Sequence, residues 1–380
     1  MSLKFKKQTI KLLLLISTIF FILFLSYQLK NFILFIFAIS LIILLGFFIK
    51  KINKNFLLFL FSVSFVFTLI EGFLFFVLNQ KSIIIDKKLN YTSNIKYEKS
   101  FLGYQPKPGV HNYKIVTNGE IEVNKFYTIG NNKFRVTPQI NNLAKHKSLN
   151  FYGGSFAFGF GLNDDETMPY LLQNYLKNWE INNFGINGYG VHQMLALIQK
   201  EPNILADINI LMTVEGHIPR ATCKRHFSFG TPKYVINKKD ELIRSGYCQF
   251  GIMDKIQMPK IFGSIINRSE IKNYIFSLLN SEKTFYDNDA REIYLAILEE
   301  INTIVKENGK TLIIGYMDTT SKLNKEIFKS IIEKDIIVVD LTLDKKDKAN
   351  WLPDKHTSKL GNEKRVFLIQ RFLKKNLYLD

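Results

Sequence analysis

Three side chains at two distant points of the chain are of the types that carry out acyl transfer. Ser155 lies in "FYGGSFAFGFG", directly after an apolar run typical of a buried strand. Asp354 and His356 lie far downstream in "WLPDKHTSKLG", where one intervening residue lets both side chains point to the same side of an extended segment. A carboxylate can then orient the imidazole, whose other nitrogen activates a serine hydroxyl. These residues predict a Ser-His-Asp triad.

The glycines around the serine fit none of the common phosphate-binding or elbow patterns. Gly154 and Gly159 have the spacing of a P-loop, but Phe160 occupies the position of its lysine. A dinucleotide fingerprint needs a third glycine after Gly159 and Gly161. The G-x-S-x-G elbow of α/β-hydrolases is excluded because Ala157 stands where its last glycine belongs. The stretch is therefore interpreted as a nucleophile loop.

A purely structural interpretation of each part of the triad stays open on the residues alone. Ser155 is of a type that also occurs in simple turns. Asp354 and His356 would equally suit a surface loop in front of a helix that Thr357 and Ser358 are able to cap.

The elements that must position these residues alternate between strands and helices. Apolar, β-rich runs occur at 148–154, 180–186, 208–214, 311–317 and 335–341. Helical periods lie near 167–178, 190–201, 288–308, 322–333 and 358–375. This alternation predicts a three-layer α/β/α, doubly wound parallel sheet. Ligands bind at the carboxyl ends of the strands of such sheets, which is where Ser155 is expected.

Three blocks of the chain resemble those of SGNH hydrolases, also called GDSL esterases, and in particular their membrane-anchored bacterial envelope members. G-G-S at 153–155 is similar to the family's G-D-S, and Gly188 in "NFGINGYG" best fits the oxyanion-hole glycine. Asp354 and His356 match the C-terminal block, with the D-x-H spacing that envelope acyltransferase relatives use. The resemblance covers roughly residues 148 to 375 and implies a flavodoxin-like sheet. It also implies that the amides of Ser155 and Gly188 hold the oxyanion.

The third family block, G-x-N-D, is altered in this chain to "LMTVEGHIPRA". His217 stands about where the oxyanion asparagine belongs, and an imidazole N–H is able to donate in its place. The alternative is that His217 is a satisfied polar residue near the sheet edge. Arg220 is a weak candidate for contact with an anionic substrate, beside the interpretation as a structural salt bridge.

The resemblance implies a two-step acyl transfer without a metal or an organic cofactor. The expected substrate is an ester-bearing small molecule, lipid or glycan. Water as acceptor makes an esterase, and a sugar hydroxyl makes an O-acyltransferase of an envelope polysaccharide. A catalytically silent module that binds a glycan or a partner protein remains an alternative, because the third block is altered. An α/β-hydrolase shares the order of the triad but normally places its Asp and His on different loops.

The first 80 residues have the composition of a membrane anchor. They hold 17 of the 34 Phe, and Glu71 is their one acidic residue. Apolar runs at 12–27, 32–49 and 56–78 each approach the roughly 20 residues that cross a bilayer, and no cleavage site follows the first. Lysines cluster before the first run and between the second and third, which predicts a multi-pass protein of the cytoplasmic (inner) membrane with its C-terminal part outside the cytoplasm.

The rest of the chain divides into a β-rich lead-in over 81–147, with a hairpin turn at Asn118-Gly119, and an SGNH-like domain over 148–380. Cys223 and Cys248 are the only cysteines, and an oxidising compartment would let them pair, with two buried thiols as the alternative. The net charge is +18, but no basic stripe interleaved with stacking aromatics stands out. We therefore expect a lipid bilayer and an ester-bearing substrate as partners, and no nucleic acid.

Overall fold

The computed structural model describes a defined part of the chain, in two compact units. The described residues are 37, 39, 40, 42, 43, 53–83, 89–117, 120–138, 147–224, 228–249 and 286–376. The N-terminal unit contains helix α1, Lys54–Ile83. The second unit contains the described residues from Leu89 onward.

Helix α1 corresponds to the third predicted membrane span. Its segment Lys54–Glu71 is long and apolar enough to cross a bilayer, by length and composition. Large apolar side chains along it, such as Phe59 and Phe73, are exposed on the surface of the helix. The first two predicted spans lie outside the described residues, apart from a few positions between 37 and 43.

The lead-in consists of short antiparallel strands. They are β1 Leu89–Ser93, β2 Tyr97–Ser100, β3 Gly103–Pro106, β4 Gly109–Thr117 and β5 Glu120–Ile129. β1, β4 and β5 form one sheet, and β2 pairs with β3. Thr117 lies opposite Glu120, so the register agrees with a two-residue link at the predicted turn, whose own residues lie outside the described ones.

The central sheet has five parallel strands in a flavodoxin-like order. They are β6 Lys147–Gly153, β7 Trp179–Gly185, β8 Ile208–Thr213, β11 Thr311–Tyr316 and β12 Val338–Asp340. Their spatial order is β12-β11-β8-β6-β7. The chain therefore reverses its direction of winding beside β6, and this reversal opens a crevice at the carboxyl ends of β6 and β8. β9 (Pro232–Ile236) and β10 (Leu242–Tyr247) form a separate antiparallel pair.

Helices cover both faces of this sheet, which confirms the predicted α/β class. They are α2 Ser155–Phe158, α3 Met168–Gln173, α4 Val191–Lys200, α5 Ile218–Ala221, α6 Asn288–Glu307, α7 Lys322–Glu333 and α8 Lys359–Lys375. Successive strand residues point to opposite faces, and both faces are apolar. Leu211 packs with α4, α6 and α7, whereas its neighbour Ile210 packs with α3 and α8.

The lead-in and the central sheet belong to the same compact unit. Arg135, which follows β5, forms single antiparallel bridges with Ile129 of β5 and with Asn183 of the edge strand β7. The backbone of Arg135 thus joins the lead-in to the edge of the central sheet.

Candidate functional site

The turn between β6 and α2 brings Ser155 to the carboxyl end of β6, the strand that lies between β8 and β7. Gly153 has φ +142°, a conformation that L side chains rarely adopt. A Cβ at Gly153 would lie 2.6 Å from the carbonyl oxygen of Met212 in the neighbouring strand β8. Glycine is therefore required where the chain leaves the sheet, and Ser155 follows it as the first residue of α2 with 7% of its surface exposed.

Asp354 and His356 form a hydrogen-bonded pair in the loop before α8. His356 Nδ1 lies 2.9 Å from Asp354 Oδ2, and the His356 backbone N–H donates to Asp354 Oδ1 at 3.1 Å. Burial raises the pKa of Asp354, but hydrogen bonds from His356 and from Tyr113 hold it below its ordinary value. An ionised Asp354 favours the His356 tautomer that carries its proton on Nδ1, which leaves Nε2 free to accept a hydrogen bond.

The His356 ring lies against the segment that carries Ser155. Its centroid is 5.6 Å from that of Phe156, the residue after the serine, and 4.9 Å from that of Phe160. In the described part of the chain, no hydrogen bond joins the hydroxyl of Ser155 to His356. Catalytic hydrogen bonds commonly tighten only in the complex with substrate. The His356 imidazole therefore lies beside the turn that carries Ser155 without a hydrogen bond to its hydroxyl.

The loops after β7 and β8, the two strands that flank β6, bring further residues to the turn that carries Ser155. Gly188 lies in the turn after β7 with φ +85°, and a Cβ there would collide with the hydroxyl of Tyr104. A Cβ at Gly154 would stand 3.1 Å from His217 Nε2 and 2.8 Å from Arg220 Nη1. The predicted oxyanion residues therefore lie in loops that flank the nucleophile turn at the same edge of the sheet.

His217 is buried and lies directly beside the residue that precedes Ser155. Its Nδ1 is 3.1 Å from the Thr213 hydroxyl. Burial lowers the pKa of His217 well below the ordinary value, and the nearby charge of Arg220 lowers it further. The imidazole is therefore neutral at neutral pH.

The side chain of Arg220, which extends from α5, also lies beside Gly154. Its Nη1 donates a 2.8 Å hydrogen bond to the carbonyl oxygen of Tyr189, in the loop after β7. This bond ties the loop that carries Gly188 to the helix that follows His217. The guanidinium is at the same time within reach of Gly154.

Solved structures that resemble this chain are lipolytic and SGNH-type hydrolases. A member of the lipolytic G-D-S-L family from Veillonella parvula DSM 2008 shares 11% identity and a TM-score of 0.35, over 60% of this chain and 98% of that one. AlinE4, an SGNH-hydrolase family esterase, shares 15% identity and a TM-score of 0.31, over 62% and 99%. LAE5, an alpha/beta hydrolase enzyme from the metagenome of Lake Arreo in Spain, shares 11% and 0.36, over 60% and 95%.

The first two of these proteins carry the name of the group that the sequence resembles. No protein-family model and no curated protein matches this chain. The likeness at such identities concerns the fold, so the chemistry is assigned from the site's own geometry.

The two cysteines are joined in a disulfide. Cys223 and Cys248 have a Cα–Cα distance of 5.3 Å. Cys223 follows α5, and Cys248 follows β10. The bond therefore anchors the segment with His217 and Arg220 to the β9–β10 pair. The alternative of two free thiols does not hold in this structure.

Arg135 is a site residue that the sequence did not indicate. Its Nη1 donates to the carbonyl oxygens of Phe158 at 2.9 Å and Gly159 at 2.6 Å, and its Nη2 donates to that of Leu162 at 2.7 Å. Its Nε pairs with Asp164 at 2.9 Å. The guanidinium is fully buried, which lowers its pKa against the opposing effect of Asp164. One arginine of the lead-in thus satisfies the carbonyls that end the short nucleophile helix.

Arg365 fixes the loop of His356 in a similar way. From the buried face of α8 its Nε donates to Leu341 O at 3.0 Å, its Nη2 donates to Met317 O at 3.5 Å, and its Nη1 donates to the Thr357 hydroxyl. The guanidinium also lies 5.5 Å from the ring centroid of Phe156. Burial lowers the pKa of Arg365 to about 9. An arginine four residues before Ile369, on the apolar stripe of a predicted helix, is a sequence signal for such a role.

Proposed function

We propose that this chain is a membrane-anchored serine esterase that acts on ester-linked acyl groups outside the cytoplasm. The observation that carries the proposal is the Asp354–His356 pair, whose imidazole packs against the segment that begins with Ser155. A serine at the carboxyl end of a parallel strand, a base beside it and a carboxylate that orients the base are the parts that nucleophilic acyl transfer needs.

In the proposed reaction, Ser155 Oγ attacks the ester carbonyl carbon while His356 Nε2 takes the hydroxyl proton. Asp354 stabilises the imidazolium that forms. The tetrahedral oxyanion accepts hydrogen bonds from the amides of Ser155 and Gly188 and from His217. His356 then returns the proton to the departing alkoxide oxygen, and the acyl group stays on Ser155. Water, activated by His356, hydrolyses this acyl-enzyme and releases the carboxylic acid.

The proposed location rests on two features of different kinds. Helix α1 has the length and composition of a membrane span. The Cys223–Cys248 disulfide is of the kind that persists in oxidising compartments. Together with the lysine distribution, they support a multi-pass anchor over residues 1–80, a lead-in over 81–147 and a hydrolase domain over 148–380.

The proposal is tested on the full chain purified in detergent. A serine-directed fluorophosphonate should label the wild-type protein, and p-nitrophenyl acetate should be hydrolysed. Ser155→Ala should lose both activities. Ser330→Ala, in helix α7 away from the site, is the matched control and should keep both.

Labelling that persists in Ser155→Ala, or a wild-type protein that neither reacts nor hydrolyses, contradicts the esterase assignment. The second result would favour a silent binding module. Repeating the assay with a sugar acceptor separates hydrolysis from O-acyl transfer, because transfer diverts the acyl group from water to the sugar hydroxyl.

A further inference from the structure

We infer that Thr213 and Tyr294 act as positioning residues that hold His217 with its proton on Nε2, so that Nε2–H faces the nucleophile turn as an oxyanion donor. The inference rests on the proposed function of Ser155. It goes beyond that function because it assigns roles to two residues outside the proposed triad.

The three side chains form one buried chain of hydrogen bonds. Thr213 is the last residue of β8, and His217 lies four residues later in a turn of 3-10 helix. Thr213 Oγ1 is 3.1 Å from His217 Nδ1 and 2.9 Å from the hydroxyl oxygen of Tyr294 on α6. Tyr294 has 0% of its surface exposed, Thr213 1% and His217 3%. Water therefore does not compete for these bonds.

The available hydrogen atoms determine which group donates and which accepts in each of these hydrogen bonds. Within the described part of the chain, Thr213 Oγ1 is the one hydrogen-bond partner of the Tyr294 hydroxyl. Burial raises the pKa of Tyr294, so the hydroxyl keeps its hydrogen. A buried donor left without an acceptor costs about 1 to 3 kcal/mol. Tyr294 therefore donates to Thr213.

Thr213 has a single hydroxyl hydrogen. Because the Thr213 oxygen already accepts from Tyr294, the Thr213 hydroxyl donates this hydrogen to His217. Nδ1 of His217 accepts it and carries no hydrogen of its own. The imidazole is neutral, so its one hydrogen is on Nε2. The reverse direction, with Nδ1–H donating to Thr213 and Thr213 donating to Tyr294, would leave the Tyr294 hydrogen without an acceptor.

Nε2 is also the atom that faces the site. It would stand 3.1 Å from a Cβ built on Gly154, the residue whose carbonyl precedes the Ser155 amide. Arg220 Nη1 lies on the same side of Gly154 and disfavours a second proton on the ring. A neutral N–H donor is thereby presented to an oxyanion that forms at Ser155, where the sequence lacks the asparagine of the related enzymes.

The first test reads the tautomer directly in the full chain, labelled with ¹⁵N-histidine and held in detergent. His217→Asn identifies the His217 resonances by their loss. We expect the wild-type Nε2 to show the shift of a protonated ring nitrogen and Nδ1 that of an unprotonated one. A proton on Nδ1 overturns the inference whether or not the protein is an esterase. This measurement is therefore independent of the proposed function.

The second test is kinetic and compares Thr213→Val, which removes the hydroxyl, with Thr213→Ser, which keeps it. Thr213→Val should lower kcat by about tenfold at nearly constant KM, because a transition-state donor is misplaced, and Tyr294→Phe should lower it by about threefold. Thr213→Ser keeps the hydroxyl and should stay within about twofold of wild type. In a His217→Ala background, Thr213→Val should have little further effect, since it acts through His217.

Equal kcat values in wild type and Thr213→Val would contradict the positioning role. If Thr213→Val lowers kcat by the same factor in the wild-type and in the His217→Ala background, the role is also contradicted, because that loss of kcat would be structural. Absence of all esterase activity in the wild-type protein would instead sink the proposed function, and the tautomer measurement would still decide this inference.

Discussion

The hydroxyl of Tyr113 donates a 2.9 Å hydrogen bond to Oδ2 of Asp354, the same oxygen that lies 2.9 Å from Nδ1 of His356. Tyr113 belongs to strand β4 of the lead-in and is fully buried. The carboxylate that orients the proposed base is therefore held from outside the region that resembles SGNH hydrolases. The hydrogen bonds from His356 and Tyr113 favour the ionised form of Asp354, and they lower its pKa despite its burial.

Tyr113→Phe should weaken the proposed base without removing it. Loss of the phenol raises the pKa of Asp354 toward its ordinary value and lets the carboxylate rotate, so we expect kcat to fall about threefold to tenfold at constant KM. Tyr127→Phe is the matched control, because Tyr127 is a buried tyrosine of the same apolar cluster whose hydroxyl meets Ser93 instead. A larger kinetic effect in Tyr127→Phe than in Tyr113→Phe would contradict this role.

Arg135→Lys should destabilise the second unit and slow labelling of Ser155. Lysine keeps the charge, but it cannot serve the three carbonyls and Asp164 at once. Breaking such a buried network costs about 3 to 5 kcal/mol of unfolding free energy, measured by urea denaturation. Arg291→Lys, at an exposed ion pair with Glu326, should change the unfolding free energy by less than about 1 kcal/mol. Similar losses in the two variants would rule out the network argument.

Removal of the disulfide should lower stability and disturb the site together. The bond closes a separation of 25 residues, for which the chain-entropy estimate is about 3 kcal/mol. The double variant Cys223→Ser, Cys248→Ser should therefore unfold at a lower urea concentration than wild type and should label more slowly with fluorophosphonate, because α5 carries Arg220 and follows His217. A wild-type urea midpoint that does not respond to reductant would speak against a bonded pair.

His192 should make the protein less stable in acid. Burial and the charge of Arg220 lower the pKa of His192 to about 3, whereas its unfolded pKa is about 6.5. Between these values the unfolded chain binds a proton that the folded chain does not. The free energy of unfolding therefore falls as pH falls below about 6.5, by about 2 kcal/mol at pH ~5 from this residue.

His192→Phe tests this contribution. The Thr231 hydroxyl donates to the carbonyl oxygen of Ser228, so it accepts from His192 Nε2–H, and His192 Nδ1 has no partner in the described part of the chain. Phenylalanine keeps the shape and cannot titrate. We expect urea midpoints of the variant to fall less between neutral pH and pH ~5 than those of wild type. Parallel pH profiles would show that His192 contributes nothing to acid lability.

The sequence predicted the central sheet closely, because its strands are buried on both faces and its helices have one apolar stripe. The observed β6 and β8 differ from the predicted strands by one residue at their ends. The last strand is shorter than predicted, since Asp335, with φ +53°, belongs to the turn that ends α7. Such boundaries depend on turn geometry, which apolar periodicity does not encode.

The candidate site shows the same contrast between features that the local sequence encodes and features that depend on tertiary packing. Asp354 and His356 are neighbours in sequence, so their pairing was predictable from local spacing. Tyr113 and Arg135 reach the site through tertiary packing from "HNYKIV" and "KFRVTP", where nothing in the local pattern indicates a functional contact. Thr213 is intermediate, because its position four residues before His217 at a strand end is compatible with a hydrogen bond between the two. The roles of Ser155, Gly188 and Arg220 stay predictions, and the comparison of Ser155→Ala with the wild-type protein tests the first of them.

Tyr113 and Arg135 also bear on where a minimal functional fragment of this protein can begin. A fragment that starts at the first strand of the parallel sheet would remove the phenol that meets Asp354 and the guanidinium that satisfies the turn after Ser155. Such a fragment would leave the carbonyl groups of the turn after Ser155 without this donor. It would also remove one hydrogen-bond donor from the Asp354 carboxylate. A fragment that keeps both contacts accordingly has to contain β4 and the segment up to Arg135, so we expect the lead-in and the parallel sheet to retain their structure only together.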